Sequence, residues 1–138
     1  MPRIIVLDED RSRSGFLKDA LVSMGHTVDC TQSVPECLTL LNDRDCDLLI
    51  TDFFTTAKGQ LTPVSGATLI IAVRYCEAVP NGLNVDPSMP IIAMSDPVSG
   101  AESTDPLDFC AALGASNTIR KPLRIGELQR VIDEALCA

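Results

Sequence analysis

Carboxylate side chains directly follow two apolar runs of the sequence. The run RIIVL is followed by Asp8, Glu9 and Asp10, and the run LLIT is followed by Asp52. Adjacent carboxylates repel one another, so acids at the end of a buried strand require a compensating positive charge nearby. Carboxylate oxygens are the hard ligands that Mg²⁺ prefers. The pattern therefore favours a divalent-cation site at these strand ends.

A hydroxyl and an ammonium group occupy the corresponding places after two further apolar runs. Ser95 follows PIIAM, and Lys121 follows SNTIR. One such residue after a strand is usually an ordinary turn or cap residue. In a parallel sheet, however, the carboxyl ends of the strands meet at one edge, where ligands bind. Carboxylates, a hydroxyl and an ammonium group collected there would suit a divalent cation together with a phosphoryl group.

Five apolar runs alternate with helical patterns along the chain, which is the order expected of an α/β sandwich. Strands are predicted at 3–7, 27–30, 47–51, 90–94 and 116–119. Helices are predicted at 11–25, 33–42, 67–79, 105–114 and 123–137, with Gly25 ending the first and Ser33 capping the second. The segment 53–66 is predicted to be a loop. Near-continuously apolar strands are typical of a parallel sheet that is covered by helices on both faces.

The bulk composition excludes several classes of function. The chain has 138 residues, a net charge of −8 and a sequence pI of about 4.4. Nucleic acid and anionic membranes are therefore unfavourable partners. We expect one domain over 1–138, and a cytoplasmic location because the acids of MPRIIVLDED come too early for a secretory signal. Six cysteines without a C-x-x-C pair and a single histidine do not indicate a zinc site, so the thiols are expected to be reduced.

Four motifs at four strand ends resemble those of one known family. VLDED, LLITD, PIIAMSD and GASNTIRKP follow the order of motifs in the receiver (CheY-like) domain of two-component response regulators. The resemblance covers essentially the whole chain. It implies a flavodoxin-like (βα)5 three-layer sandwich whose five-stranded parallel sheet has the order 2-1-3-4-5.

The resemblance also implies a role for individual residues. Asp52 is expected to take a phosphoryl group from a phosphohistidine donor, with Ser95 and Lys121 contacting the phosphoryl oxygens. The expected Mg²⁺ ligands are Glu9, Asp52 and the carbonyl of Phe54, with Asp8 reaching the metal through water.

The expected partners are proteins. A sensor histidine kinase or a histidine phosphotransfer protein would supply the phosphoryl group, and a downstream protein would receive the signal. No DNA-binding segment follows the last predicted helix. The chain is expected to act as a phosphoacceptor rather than as an enzyme with sustained turnover.

The sequence departs from the family pattern at several positions. Thr118 stands where receivers usually carry an aromatic residue. The segments 53–65, 79–90 and 96–106 are longer than the corresponding segments of typical receivers. Because threonine is too small to act as a rotating ring, we expect the conformational switch in the 96–106 loop and on the adjoining face of the helix predicted at 105–114.

Two alternatives stay open from the sequence. In a haloacid-dehalogenase-type phosphatase, Asp8 would be the nucleophile and Asp10 the general acid. Against this, Arg11 and Ser12 follow the D-x-D motif where that class has a small residue and a threonine, and Asp52 has no role. The other alternative is a degenerate receiver that serves as a docking module independently of phosphorylation.

Overall fold

The structure is a computed structural model. It describes residues 2–8, 11–43, 45–52, 55–57, 60–62, 64–75, 85–86, 88–95, 114–120 and 124–137. The strands are β1 Arg3–Leu7, β2 Thr27–Thr31, β3 Leu48–Asp52, β4 Thr55–Ala57, β5 Gln60–Thr62, β6 Ile91–Ser95 and β7 Asn117–Arg120. The helices are α1 Arg11–Ser23, α2 Val34–Asp43, α3 Val64–Arg74 and α4 Ile125–Cys137.

A five-stranded parallel sheet forms the centre of the fold. Its strand order is β2-β1-β3-β6-β7, and every neighbouring pair is parallel. Since β6 and β7 are the fourth and fifth strands of this sheet along the chain, the predicted order 2-1-3-4-5 is confirmed. The carboxyl ends of β1, β3 and β6 therefore lie side by side at one edge.

Alternate residues of the strands build two separate apolar cores. Ile4 and Val6 of β1 pack on one face together with residues of α1 and α4. Ile5 and Leu7 pack on the other face with residues of α2 and α3. Side chains of a strand alternate between faces with a period of two, so each core receives every second residue. This alternation decides which way the residues at the strand ends point.

The first two helices begin and end where local chemistry predicts. The hydroxyl of Ser33 accepts a hydrogen bond from the amide of Glu36 at 3.3 Å, which caps the start of α2. Gly25 has a φ of 95°, and its amide donates to the carbonyl of Val22, which ends the last turn after α1. Both helix boundaries were predicted from these residue types.

Two predictions about local structure were wrong. The segment 53–66 is not only loop, because β4 and β5 form a two-stranded antiparallel sheet with Thr55 opposite Thr62. Threonine is β-branched and favours extended backbone, a local preference that the loop interpretation overlooked. Helix α3 begins at Val64, three residues before the predicted start at residue 67. Of the helix predicted at 105–114, only Gly114 is among the described residues, and it lies in a turn.

Arg74 connects the end of α3 to the segments that precede β6 and β7. Its guanidinium donates to the carbonyl of Met89 at 2.7 Å, to the carbonyl of Gly114 at 2.8 Å and to the hydroxyl of Ser116 at 3.3 Å. These contacts are called the Arg74 clamp below. They lie at the amino-terminal edge of β6 and β7, opposite the edge where the predicted site residues fall.

The described cysteines are free thiols in or near the core. Cys37 is buried, and Cys30 and Cys46 are half-buried. Burial raises the pKa of Cys37 to about 12 and that of Cys46 to about 11. Both thiols therefore stay protonated at neutral pH and act as small apolar side chains. Within the described part of the chain, no helix is long and apolar enough to cross a membrane.

Candidate functional site

Asp8 and Asp52 are buried at the carboxyl ends of two neighbouring strands. Val6 and Ile50 pack in the core beneath α1 and α4, and Asp8 and Asp52 each come two residues later. The period of two therefore directs both carboxylates to the α1 side of the sheet. Asp8 is 0% exposed and Asp52 is 3% exposed. Because both side chains are buried on the same side of adjacent strands, water does not stabilise their charges, and other groups must do so.

The guanidinium of Arg13 lies between these carboxylates. Its Nη2 is 2.9 Å from Oδ1 of Asp8 and 3.5 Å from Oδ2 of Asp52, and its Nε donates to Oδ2 of Asp8. Arg13 thus holds Asp8 with two parallel contacts and reaches Asp52 with one nitrogen. A planar guanidinium suits this two-pronged geometry, which a lysine cannot reproduce. We call Asp8, Asp52 and Arg13 the carboxylate pocket.

Backbone contacts of the neighbouring residues fix the position of the pocket. The amide of Asp8 donates to the carbonyl of Thr31 at 3.1 Å, which ties the end of β1 to β2. The buried hydroxyl of Ser14 donates to the carbonyl of Asp8 at 3.2 Å, which ties the first turn of α1 to the same point. Leu17 and Leu21, one and two turns further along α1, anchor the helix in the core. Arg13 is therefore presented from a helix that is held at the sheet edge.

The charges of the carboxylate pocket do not cancel. Two carboxylates and one guanidinium leave a formal charge of −1 among these three side chains. The Arg13 side chain is 28% exposed, whereas the Asp8 side chain is 0% and the Asp52 side chain 4% exposed. The negative groups are therefore the deeper ones, and the positive group lies between them and solvent.

The structure brings some of the predicted site residues together. Asp8 and Asp52 share Arg13, and Ser95 is the last residue of β6, one step beyond the Met94 that pairs with Asp52. In the register of the sheet, Ser95 pairs with Arg120, the residue that precedes Lys121. Glu9, Phe54 and Lys121 lie outside the described residues, so their predicted roles remain predictions.

The carboxylate pocket fits the chemistry of a divalent cation. Its two carboxylates converge on a single positive centre, Nη2 of Arg13, which lies within 3.5 Å of an oxygen of each. Hard carboxylate oxygens that converge in this way are suitable ligands for Mg²⁺. Among the described residues, no group of three or more His, Cys, Asp and Glu side chains is placed to hold a metal ion. The predicted ligands Glu9 and Phe54 are not among those residues.

Sequence reasoning missed Arg13, although the sequence contains a signal for it. Helix α1 begins with Arg11 and carries Arg13 in its first turn, and no acidic residue lies in that turn. The amino terminus of a helix is positive, so basic residues are unfavourable there unless an anion lies nearby. Two arginines after three carboxylates were thus an indication that one of them turns back to the acids.

Solved structures with a similar fold are receiver domains. A putative response regulator from Chloroflexus aurantiacus J-10-fl is 22% identical, covers 100% of both chains and has a TM-score of 0.79. The receiver domain of the Francisella response regulator 1452 is 20% identical over 99% of this chain and 98% of its own, with a TM-score of 0.76. The receiver domain of a signal transduction histidine kinase from Syntrophus aciditrophicus is 18% identical over 99% of this chain and 91% of its own, with a TM-score of 0.73.

These similarities establish the fold of the chain. The predicted flavodoxin-like receiver fold is confirmed, with its sheet order and its parallel strands. No protein-family model matches the sequence, and no curated protein matches it. The fold is thus that of receiver domains, while the sequence has diverged far from the solved examples.

Proposed function

We propose that this chain is the phosphoacceptor receiver domain of a two-component signalling pathway, with Asp52 as the acceptor. The observation that carries the proposal is that Asp8 and Asp52 are both buried and both contact Arg13, at the edge of the sheet where ligands bind. A pair of buried carboxylates is costly to build for stability alone. Binding of a cation and a phosphoryl group at this edge would account for two buried carboxylates in this place.

In the proposed reaction, an oxygen of Asp52 forms a bond to phosphorus. The bond between phosphorus and the imidazole nitrogen of the phosphohistidine donor breaks, and the donor histidine leaves with that electron pair. The product is an aspartyl phosphate. Such transfer depends mainly on positioning and on neutralisation of charge. Asp52 is the last residue of β3, and the pairing of β3 with β1 and β6 fixes its position.

The remaining site residues act on the charge of the phosphoryl group. Glu9, Asp52 and the carbonyl of Phe54 are the proposed ligands of Mg²⁺, and Asp8 is proposed to reach the ion through water. A bound Mg²⁺ would offset the negative charge of the carboxylates and of the phosphoryl oxygens. The hydroxyl of Ser95 and the ammonium of Lys121 are proposed to donate to those oxygens.

The proposed output is a change in protein contacts. We place the switch in the 96–106 loop, which follows Ser95 directly in the sequence, and on the face of the helix predicted at 105–114. Both segments lie outside the described residues, apart from Gly114. Thr118 is half-buried in β7 opposite Ala93 and too small to act as a rotating ring. Amide exchange in 96–106 should therefore change on phosphorylation, and Ser95→Ala should reduce that change.

The proposed partners follow from this role. A histidine kinase or a histidine phosphotransfer protein supplies the phosphoryl group, and a target protein or effector domain binds the phosphorylated form. With a formal charge of −8, the chain favours partners whose contact surface is basic.

Intact-mass measurement after incubation with acetyl phosphate and MgCl₂ tests the proposal. The wild type should gain one phosphoryl group, and either EDTA or Asp52→Asn should abolish the gain. Labelling that survives Asp52→Asn but not Asp8→Asn, together with sustained hydrolysis of phosphate esters, would instead support the phosphatase alternative. A folded protein that gains no phosphoryl group from acetyl phosphate or from any phosphohistidine donor would support the docking module.

A further inference from the structure

We propose that Arg13 and a divalent cation are alternative occupants of the carboxylate pocket, so that Arg13 must leave Asp52 and Asp8 when the cation binds. Arg13 then sets the cation concentration at which the site becomes competent. This inference rests on the metal site of the proposed function, and it adds Arg13, a residue that was not among the predicted site residues.

Geometry supports mutual exclusion. The Nη2 of Arg13 lies 2.9 Å from Oδ1 of Asp8 and 3.5 Å from Oδ2 of Asp52, so one nitrogen is in contact with an oxygen of each carboxylate. A Mg²⁺ ion sits about 2.1 Å from an oxygen that binds it directly, here an oxygen of Asp52, and the water through which Asp8 reaches the ion would lie against the Asp8 carboxylate. Such an ion and the guanidinium would then share one small space with like charges in contact. The cation and Arg13 can hold these carboxylates in turn but not together.

Charge explains why the protein keeps Arg13 in this place. Asp8 and Asp52 are two buried carboxylates in contact with the same guanidinium nitrogen, so they lie close enough to repel each other. Arg13 offsets part of that repulsion in the cation-free protein. The same contact lowers the apparent affinity for the cation, because only the fraction of molecules with Arg13 displaced can bind it.

Arg13 has a route out of the pocket. Its side chain is 28% exposed and extends from the first turn of α1, so its guanidinium can move into water without repacking the core. The backbone that carries it is held by the contact from Ser14 to Asp8, which does not involve the guanidinium. Displacement of the charged group therefore leaves helix α1 in place.

Calorimetric titration of the metal-free protein with MgCl₂ tests the competition. Arg13→Gln should bind Mg²⁺ about tenfold more tightly than the wild type, since the competing occupant is removed. Arg11→Gln is the matched control. It removes one positive charge two residues away on the same helix from an exposed side chain, and its affinity should stay within about twofold of the wild type. Arg13→Lys keeps the positive charge but loses the planar guanidinium that contacts Asp8 with two nitrogens. The Mg²⁺ affinity of this variant should lie between those of Arg13→Gln and the wild type.

A second measurement covers the case in which Arg13→Gln is poorly folded without metal. The rise in melting temperature on adding MgCl₂ should be larger for Arg13→Gln than for the wild type or Arg11→Gln, because Mg²⁺ meets no competing guanidinium in this variant and binds it more tightly. Equal Mg²⁺ affinities and equal shifts in all variants would overturn the inference, even if Asp52 is phosphorylated. Absence of Mg²⁺ binding in every variant would overturn both the inference and the metal site of the proposed function.

Discussion

Two arginines hold opposite edges of the sheet, and they differ in what they bind. Arg13 binds the carboxylates of Asp8 and Asp52 at the carboxyl ends of β1 and β3. Arg74 binds the carbonyls of Met89 and Gly114 and a hydroxyl, at the amino-terminal edge of β6 and β7. Both side chains are partly buried, and both extend from a helix across to another segment. Their surroundings nevertheless suit different purposes.

The two arginines differ in whether a cation from solution could take their place. The acceptors of Arg74 are mainly backbone carbonyls, which are neutral dipoles fixed by the fold. Burial lowers the pKa of Arg74, with Asp86 opposing the effect. Such neutral acceptors attract a hydrated cation from solution far less than carboxylates do. The partners of Arg13 are full negative charges, which a small cation can satisfy equally well. The Arg74 clamp therefore belongs to the architecture, and the carboxylate pocket can change its occupant.

The largest effect on stability should come from the Arg74 clamp. Arg74→Met keeps most of the aliphatic length but removes the hydrogen bonds to Met89, Gly114 and Ser116. The unpaired carbonyls and the lost charged donor should together lower the free energy of unfolding by about 3 kcal/mol. The loss should be the same in EDTA and in MgCl₂, as measured by urea denaturation. Recovery of stability in MgCl₂ would contradict the distinction drawn between the two arginines.

A glycine at the clamp provides a second test. Gly114 has a φ of 121°, and a Cβ at this residue would lie 2.9 Å from Cγ of Arg74. Gly114→Ala should therefore combine backbone strain with displacement of the clamp, at a cost of about 2 kcal/mol. Gly25→Ala is the matched control, because Gly25 has a φ of 95° but open space around the added methyl group. It should cost about 1 kcal/mol. Equal losses for the two variants would show that contact with Arg74 adds nothing.

The smallest effects should come from single carboxylates of the pocket, and their signs should differ. Asp8→Asn removes the partner that Arg13 holds with two contacts, so unfolding in EDTA should become easier by about 1 kcal/mol. Asp52→Asn weakens the longer 3.5 Å contact with Arg13 and relieves the repulsion between the carboxylates, so stability should stay the same or rise by up to about 1 kcal/mol. Thermal unfolding in EDTA compares the two isosteric variants directly. A larger loss for Asp52→Asn would reverse the assignment of Asp8 as the main partner of Arg13.

Much of the fold could be predicted because its signals are local. Apolar runs predicted the five strands of the main sheet, and Ser33 and Gly25 indicated the boundaries of two helices. The small sheet of β4 and β5 was missed because three-residue strands carry too little pattern to separate them from a loop. The strand-end acids Asp8 and Asp52 were found because parallel strands bring their carboxyl ends together.

The arginine contacts could not be predicted in the same way. The acceptors of Arg74 are 15 to 42 residues away in the chain, so only the folded sheet brings them into reach. Arg13 lies only five residues after Asp8, but its contact depends on how α1 is rotated against the sheet edge. That rotation is set by the packing of Leu17 and Leu21 in the core, and no motif records it.

Chemical trapping of the acyl phosphate tests the central claim most directly. The wild-type protein is incubated with acetyl phosphate and MgCl₂ and then treated with sodium borohydride, which reduces an aspartyl phosphate to homoserine. Peptide mass spectrometry then locates the reduced residue. The account predicts conversion at position 52, with Asp8 unmodified. Conversion at position 8, or no conversion in a protein that remains folded and binds Mg²⁺, would contradict it.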